Sequence, residues 1–371
     1  MTTRTSPAGR SSRRTAPARR VAGALPACLL LLALLLAGPA LLPARAGKKA
    51  ADLVADGQPI DLHQKKYRQL FRELEEKHHF SPTELQAIFA GQTISRRVLE
   101  LMDRQWEARP YYRYAPLFLT PENIRQGREK LRRYRGLLDR IEQRFGVDRE
   151  IVVAIWGIET RYGTHQGKFN VLRTLNTLFD AYPRRSKFFR NQLVHFLVLC
   201  RENQVDPRSV TGSYAGAFGQ TQFIPSSFRA YAVSFDGDAR RDVWNSVPDV
   251  LASIANYLKR FGWTLNGPIY ADIGHELKDR RLLAARLKGR KGRVPVDLVR
   301  RVQGVDIPPS PGNRPVAIVG LELAPGGRYT MRYIAAYPNF QAITAWNHSS
   351  RYAMAVTELA EAFKAAPARK K

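Results

Sequence analysis

A mainly helical chain carrying one small β-containing insertion is the fold class that this 371-residue sequence predicts. Three observations predict it. Apolar residues recur at helical spacing through most of the length, as in Leu70, Phe71 and Leu74 or Phe188, Leu193, Phe196 and Leu199. Strand-like runs are concentrated at residues 316–323 and 329–333, joined across Pro325, Gly326 and Gly327. No internal repeat or long low-complexity tract interrupts the pattern, so one catalytic-sized domain over 47–367 with an insertion at 264–335 is the expected organisation.

In chain order, residues 1–46 read as an export signal. Arg4, Arg10, Arg13, Arg14, Arg19 and Arg20 form a leader without acids, residues 27–36 are wholly apolar, and Ala44-Arg45-Ala46 offers a small-x-small cleavage site. An uncleaved anchor over 22–42 is the alternative, against which stand Pro26, Pro39 and the cleavage-like end. The paired arginines leave both the general and the twin-arginine routes open. The expected location is therefore the periplasm or cell envelope. Cys28 precedes the leucine run, unlike a lipoprotein cysteine, and its removal leaves Cys200 as a lone buried hydrophobe with no disulfide partner.

Residues 60–105 read as amphipathic helices, with Ser81-Pro82-Thr83-Glu84 as a start signal before Leu85, Ile88 and Phe89. Pro110 and Pro116 bracket a tyrosine-rich loop, and Thr120-Pro121-Glu122-Asn123 opens a helix running toward Phe145. Helices follow over 148–163 and 187–203, then the insertion, a last helix over 352–365 and a basic tail at 368–371. His78 and His79 read as a solvated helix end.

The formal charge is +28, and seven of the sixty basic residues but no acid lie in the leader, so the remainder carries +21. Such a chain favours polyanions. Nucleic acid is set aside because no zinc-knuckle spacing, helix-turn-helix pattern or phosphate-cradling glycine loop is present. Anionic envelope polymers remain within reach of an exported protein. Much of the excess falls at 278–301, including Arg280, Arg281, Arg286, Lys288, Arg290, Lys291 and Arg293, a solvated face or a wall-binding patch.

Glu159 is the candidate acid. One helical row places it with Ile155 and Val152, beside Trp156 and Ile151, so its carboxyl faces apolar side chains. Desolvation disfavours the anion and keeps a proton available near neutrality. A lone helix-end Glu would more commonly pair with Arg161 or Arg113. Two neutral, amide- and hydroxyl-rich segments shift that balance: residues 212–227, a glycine-spaced loop leading into a helix, and residues 346–352, which combine Trp346, Asn347 and Tyr352. Such groups beside aromatics suit a sugar bearing hydroxyl and N-acetyl substituents better than a phosphate.

Taken together, Trp156-Gly157-Ile158-Glu159-Thr160-Arg161-Tyr162-Gly163, Ala181-Tyr182-Pro183-Arg184-Arg185, Gly212-Ser213-Tyr214-Ala215-Gly216, Gln222 to Ser227 and Asn347 to Ala355 resemble, in order, the lytic murein transglycosylase B family of the lysozyme-like superfamily. The resemblance runs from about residue 60 to 365. It implies a lysozyme-like helical core with a groove for peptidoglycan. The implied reaction cleaves the β-1,4 bond between N-acetylmuramic acid and N-acetylglucosamine and leaves 1,6-anhydromuramoyl ends. By the same resemblance Glu159 is the sole acid/base, Ser213 steadies the muramoyl N-acetyl group, and Gln222 lines the groove. Tyr114, Arg184, Arg185, Tyr257, Asn347 and Tyr352 match positions that contact glycan or peptide, with Arg184 and Arg185 suited to stem-peptide carboxylates. Trp346 stands where a relative has tyrosine, which implies ring stacking without a hydroxyl contact.

The family's calcium loop corresponds to residues 234–244, where Ser234 replaces an aspartate and Arg240 and Arg241 add positive charge. Asp236, Asp238 and Asp249 are the remaining hard oxygen ligands, and occupancy is not expected. No cofactor is expected to be required, no other metal site is legible, and the chain reads as a monomer. A hydrolytic muramidase would need a second carboxylate, for which Asp180 is the nominee, although its setting reads as structural. A noncatalytic wall-binding module is the other alternative.

Overall fold

The computed structural model describes residues 49–103 and 109–365; the expected export signal and cleavage site at 1–46 and the basic tail at 368–371 lie outside them. The first α-helices among the described residues are α1 (Lys65–His78), α2 (Pro82–Phe89) and α3 (Arg96–Met102). Tyr67, Leu70 and Leu74 bury the inner face of α1, and Ser81 and Glu84 form the expected reciprocal cap on α2. His79 ends α1 in the left-handed conformation.

The tyrosine-rich segment is a helical turn, not a loop: α4 (Tyr111–Tyr114) starts after an extended Pro110. Glu322 accepts the Tyr111 N–H, and Glu358 accepts its hydroxyl at 2.5 Å, so long-range partners hold the turn helical. The helix opened by Thr120 is also two helices, α5 (Pro121–Arg133) and α6 (Arg135–Phe145). Tyr134 leaves the helical region between them, its ring 6.1 Å from that of Trp156, and Gly136 weakens the following turn.

Next comes α7 (Arg149–Thr160), whose residues from Ile151 to Gly157 are all buried. A helix apolar all round belongs inside a core, and α7 accordingly packs against α5 and α6. Helices α8 (Val171–Ala181), α9 (Ser186–Glu202), α10 (Pro225–Tyr231) and α11 (Val247–Arg260) follow, and α7 packs on α11 as well. A two-residue ribbon, β1 (Phe169–Asn170) with β2 (Thr211–Gly212), ties the start of α8 to the segment after α9. Cys200 is a buried free thiol on α9, as expected of a small hydrophobe.

The insertion holds β3 (Tyr270–Gly274), α12 (Arg280–Leu287), α13 (Val296–Gln303), β4 (Ala317–Leu323) and β5 (Thr330–Ala336). Its antiparallel sheet has the order β3-β5-β4, so the two anticipated strands pair and a third, unanticipated one adds to β5. The sheet separates two apolar clusters. Leu321, Ile334 and Ala336 face the main core, whereas Ile318 and Ala335 face a smaller cluster with Leu282, Val299 and Ile307. The last described helices are α14 (Pro338–Trp346) and α15 (Ser350–Lys364), the latter packed on α7. No helix among the described residues is long and apolar enough to cross a membrane.

Candidate active site

Three elements converge on one carboxyl: the last turn of α7, the end of α14 and the first turn of α15. Glu159 is half-buried on α7. Trp346, 3% exposed at the end of α14, donates its indole N–H to Glu159 Oε1 at 2.9 Å. Tyr352, 2% exposed, donates its hydroxyl to the same oxygen at 2.6 Å. No cation forms an ion pair with Glu159 among the described residues, so neither Arg161 nor Arg113 takes the role open to them in the sequence.

Burial pushes the Glu159 pKa up to about 7, and the two donors pull in the opposite direction. An indole N–H can only donate. Oε1 is therefore the fixed acceptor, and the proton of the neutral acid belongs on Oε2. Burial and the adjacent carboxylate hold the Tyr352 hydroxyl well above its usual range, so it stays a donor.

The helix end that aims Glu159 is itself clamped. Arg161 and Tyr162 both take left-handed φ values of 49° and 58°, turning the chain back at once. Tyr162 then hydrogen-bonds the Asn123 carbonyl at 2.7 Å, and Gly157 leaves the room its ring needs, since a Cβ there would lie 2.7 Å from it. Gln220, 7% exposed, accepts the Trp156 indole N–H at 2.9 Å and donates to the Trp244 carbonyl at 2.8 Å. Gly163, at φ 91°, lets Gln220 approach so closely. Gln220 is a positioning residue that its sequence neighbourhood concealed among other neutral amides.

Ser213 Oγ accepts the N–H groups of Ala217 at 3.1 Å and Ala215 at 3.3 Å, which fixes the hydroxyl oxygen and leaves its proton to donate elsewhere. Gln222, at φ 48°, donates to the carbonyls of Gly219 at 2.9 Å and Gln166 at 3.0 Å. Asn347 directly follows Trp346, and its buried Oδ1 has no protein partner. Tyr114 lies on α4 with its ring 5.2 Å from Phe118, near enough to Tyr352 to raise that hydroxyl's pKa further.

Geometry adds to the reading of two of the expected site residues. Trp346 makes a polar contact as well as presenting its ring, because its N–H reaches the Glu159 carboxyl. The signal was the indole donor itself. Tyr257 is 2% exposed, donates to the Ala345 carbonyl at 2.7 Å and sits 4.7 Å edge-on to Trp346, so it backs the Trp346 ring from within the core. Arg184 and Arg185 occupy a 3-10 turn between α8 and α9, on other elements than Glu159. Arg184 is exposed, and Arg185 lies over Phe188 at 4.2 Å.

The acidic loop is closed on itself. Asp249, 0% exposed, accepts the Phe235 N–H at 2.6 Å on one oxygen and the Asp242 N–H at 2.8 Å on the other. Asp236 accepts the Ser246 hydroxyl at 2.6 Å, and Asp238 accepts the Arg240 N–H at 2.7 Å. Protein donors thus engage both oxygens of Asp249 and of Asp236 and one oxygen of Asp238. No cluster of three or more potential ligands suited to a metal occurs among the described residues. Asp180 pairs with Lys66 at 2.7 Å, consistent with a structural setting.

A family model for the transglycosylase SLT domain matches residues 63–361. The chain is 33% identical over 305 residues to the membrane-bound lytic murein transglycosylase B of Escherichia coli (strain K12), covering 80% of this chain and 81% of that protein. The Escherichia coli lytic transglycosylase Slt35 in complex with calcium superposes with a TM-score of 0.72 at 32% identity, covering 83% of this chain and 96% of that one. SltB3 from Pseudomonas aeruginosa in complex with NAG-anhNAM-pentapeptide superposes with a TM-score of 0.66 at 34% identity, covering 81% and 79%.

Proposed function

The chain belongs to the transglycosylase SLT domain family, and on that premise we propose that Glu159 alone serves first as acid and then as base in its reaction. It is a lytic transglycosylase acting on peptidoglycan, built on the lysozyme-like fold of that family. The observation that carries the proposal is a carboxyl at the end of a buried helix, its pKa raised by burial and its hydrogen bonds confined to Oε1.

Neutral Glu159 passes its Oε2 proton to the glycosidic oxygen as the bond to the muramoyl C1 breaks. The carboxylate that results gains strength from the Trp346 and Tyr352 donors, which favour the charged form. The substrate's N-acetyl oxygen, steadied by Ser213, supports the cationic C1. The muramoyl C6 hydroxyl then attacks C1 and gives its proton to Glu159 Oε2, which restores the acid and consumes no water. Because attacking group and target share one sugar, the step has the effective-concentration advantage of an intramolecular reaction. The capture of Asp180 by Lys66 argues against a muramidase using that residue as its second carboxylate.

On the same reading, Tyr114, Gln222 and Asn347 line the glycan groove, and Arg184 and Arg185 meet stem-peptide carboxylates. Tyr352 acts on the carboxyl, and Tyr257 on Trp346. Residues 47–367 form the catalytic domain, exported to the periplasm or envelope as a monomer, with calcium unnecessary. Mass spectrometry of muropeptides released from purified sacculi tests the reaction: 1,6-anhydromuramoyl ends are expected. Mainly reducing muramic-acid ends would mark a muramidase, and no release at all a binding module.

A further inference from the structure

A cleft of about 430 Å³ opens between α12, the turn Gly289–Lys291, β4 and α14. Three guanidinium groups line it, those of Arg286, Arg290 and Arg293, and no carboxylate does. Elsewhere the half-buried arginines of this fold commonly find acids, as Arg332 does with Asp272 and Glu358 and Arg351 with Glu322. The cleft arginines have neutral partners instead. Arg290 donates to His348 Nδ1 at 2.7 Å, Arg293 to Gln341 at 3.0 Å, and Arg286 lies 5.5 Å over the Tyr333 ring. Burial lowers the pKa values of both Arg290 and Arg293, and for Arg293 the charge of Arg290 adds to it. The positive charge here is uncompensated.

Two further features narrow the ligand. Leu287, 71% exposed, shares the cleft with Val319 and Phe340, so cationic and apolar surfaces meet in one place. Thr344 and Ser350 also line it, bracketing Trp346 and Asn347 in the chain, and His348 between them holds Arg290. An anion bound here therefore sits beside the segment that carries the donor to Glu159. A heavily hydrated phosphate polymer gains little from the apolar wall, whereas a short peptide with small apolar side chains and a terminal carboxylate uses both surfaces.

We propose that this cleft is a peptide-carboxylate subsite, separate from Arg184 and Arg185, which engages the free C-terminus of a stem peptide on the glycan being cut. The inference rests on the peptidoglycan reading above. Its test uses the full chain and three probes: an N-acetylated alanine-terminated tetrapeptide, its C-terminal amide, and inorganic phosphate. The parent should bind the acid roughly tenfold more tightly than the amide, a preference abolished by Arg290→Gln with Arg293→Gln. The lysine pair at both positions keeps the charge without the fork and should restore only part of it. In turnover, the ratio of rates on peptide-bearing and peptide-free glycan should fall roughly tenfold in the glutamine pair. Equal binding of acid and amide by the parent, phosphate competing as well as the peptide, or an unchanged turnover ratio would each overturn the subsite. Failure of the parent to yield anhydromuramoyl products from peptide-free glycan would instead count against the enzymatic reading.

Discussion

Glu159 and Asp249 are both inward-facing carboxyls on helices of one core, yet their surroundings divide their work. Both are raised in pKa by burial. Asp249 spends both oxygens on backbone N–H groups and closes the 234–244 loop onto α11. Glu159 takes two side-chain donors on a single oxygen. Burial is thus common to both, and on the proposed reading it is the second oxygen, left without a hydrogen bond, that suits Glu159 to give up a proton.

Replacing each carboxyl is the sharpest way to break the comparison. Glu159→Gln keeps the shape and can accept the same two hydrogen bonds, but it transfers no proton, so sacculus turnover should fall at least ~10²–10⁴-fold in a folded protein. The same variant carries a stability signature. The folded-state pKa is raised from 4.5 to about 7, so the stability of the neutral carboxyl is fully present below pH 4.5 and lost as pH rises through 7. Glu159→Gln should therefore melt higher than the parent at pH 8, by up to about 3 kcal/mol of stability, and differ little at pH 4. A pH-independent difference between the melts would contradict the assigned titration.

Asp249→Ala should behave in the opposite way. It strands two loop N–H groups and should cost roughly 2–5 kcal/mol in chemical denaturation. In whatever fraction folds, the pH dependence of turnover should match that of the parent. A shifted profile would mean that the two carboxyls are coupled after all.

The smallest effect sharpens the role of the single-sided donors. Trp346→Phe keeps the ring against Phe223 and Tyr257 but removes a donor that favours the carboxylate. The Glu159 pKa should rise further, moving the alkaline limb of the kcat/KM profile upward by up to about one pH unit. An unmoved limb would leave the indole N–H without electrostatic influence on the acid.

Much of this was legible in the chain. The row of Val152, Ile155 and Glu159 announces a desolvated carboxyl, and the reciprocal cap of Ser81 and Glu84 announces α2. What escaped depended on partners distant in sequence. Tyr111 becomes helical because Glu322 and Glu358, over two hundred residues on, receive it. Strand β3 has no hairpin partner of its own and exists by joining β5. The family pattern names Tyr257 as a contact to glycan or peptide, while its burial against Trp346 is a property of packing that the sequence does not display. The sequence announces the ring of Trp346, whereas the hydrogen bond of its nitrogen to Glu159 depends on the fold.

The sheet of the insertion has a mechanical consequence. Its β4 and β5 strands send alternate side chains into the main core and into the smaller cluster. It works as a party wall: neither room stands once it is removed. Cutting the chain at the exposed turn around Gly326 should leave both halves bound, whereas deleting the insertion would take Leu321 and Ile334 out of the main core and leave the apolar side chains they cover exposed. The appended lobe is in that sense masonry of the enzyme and not an attachment to it.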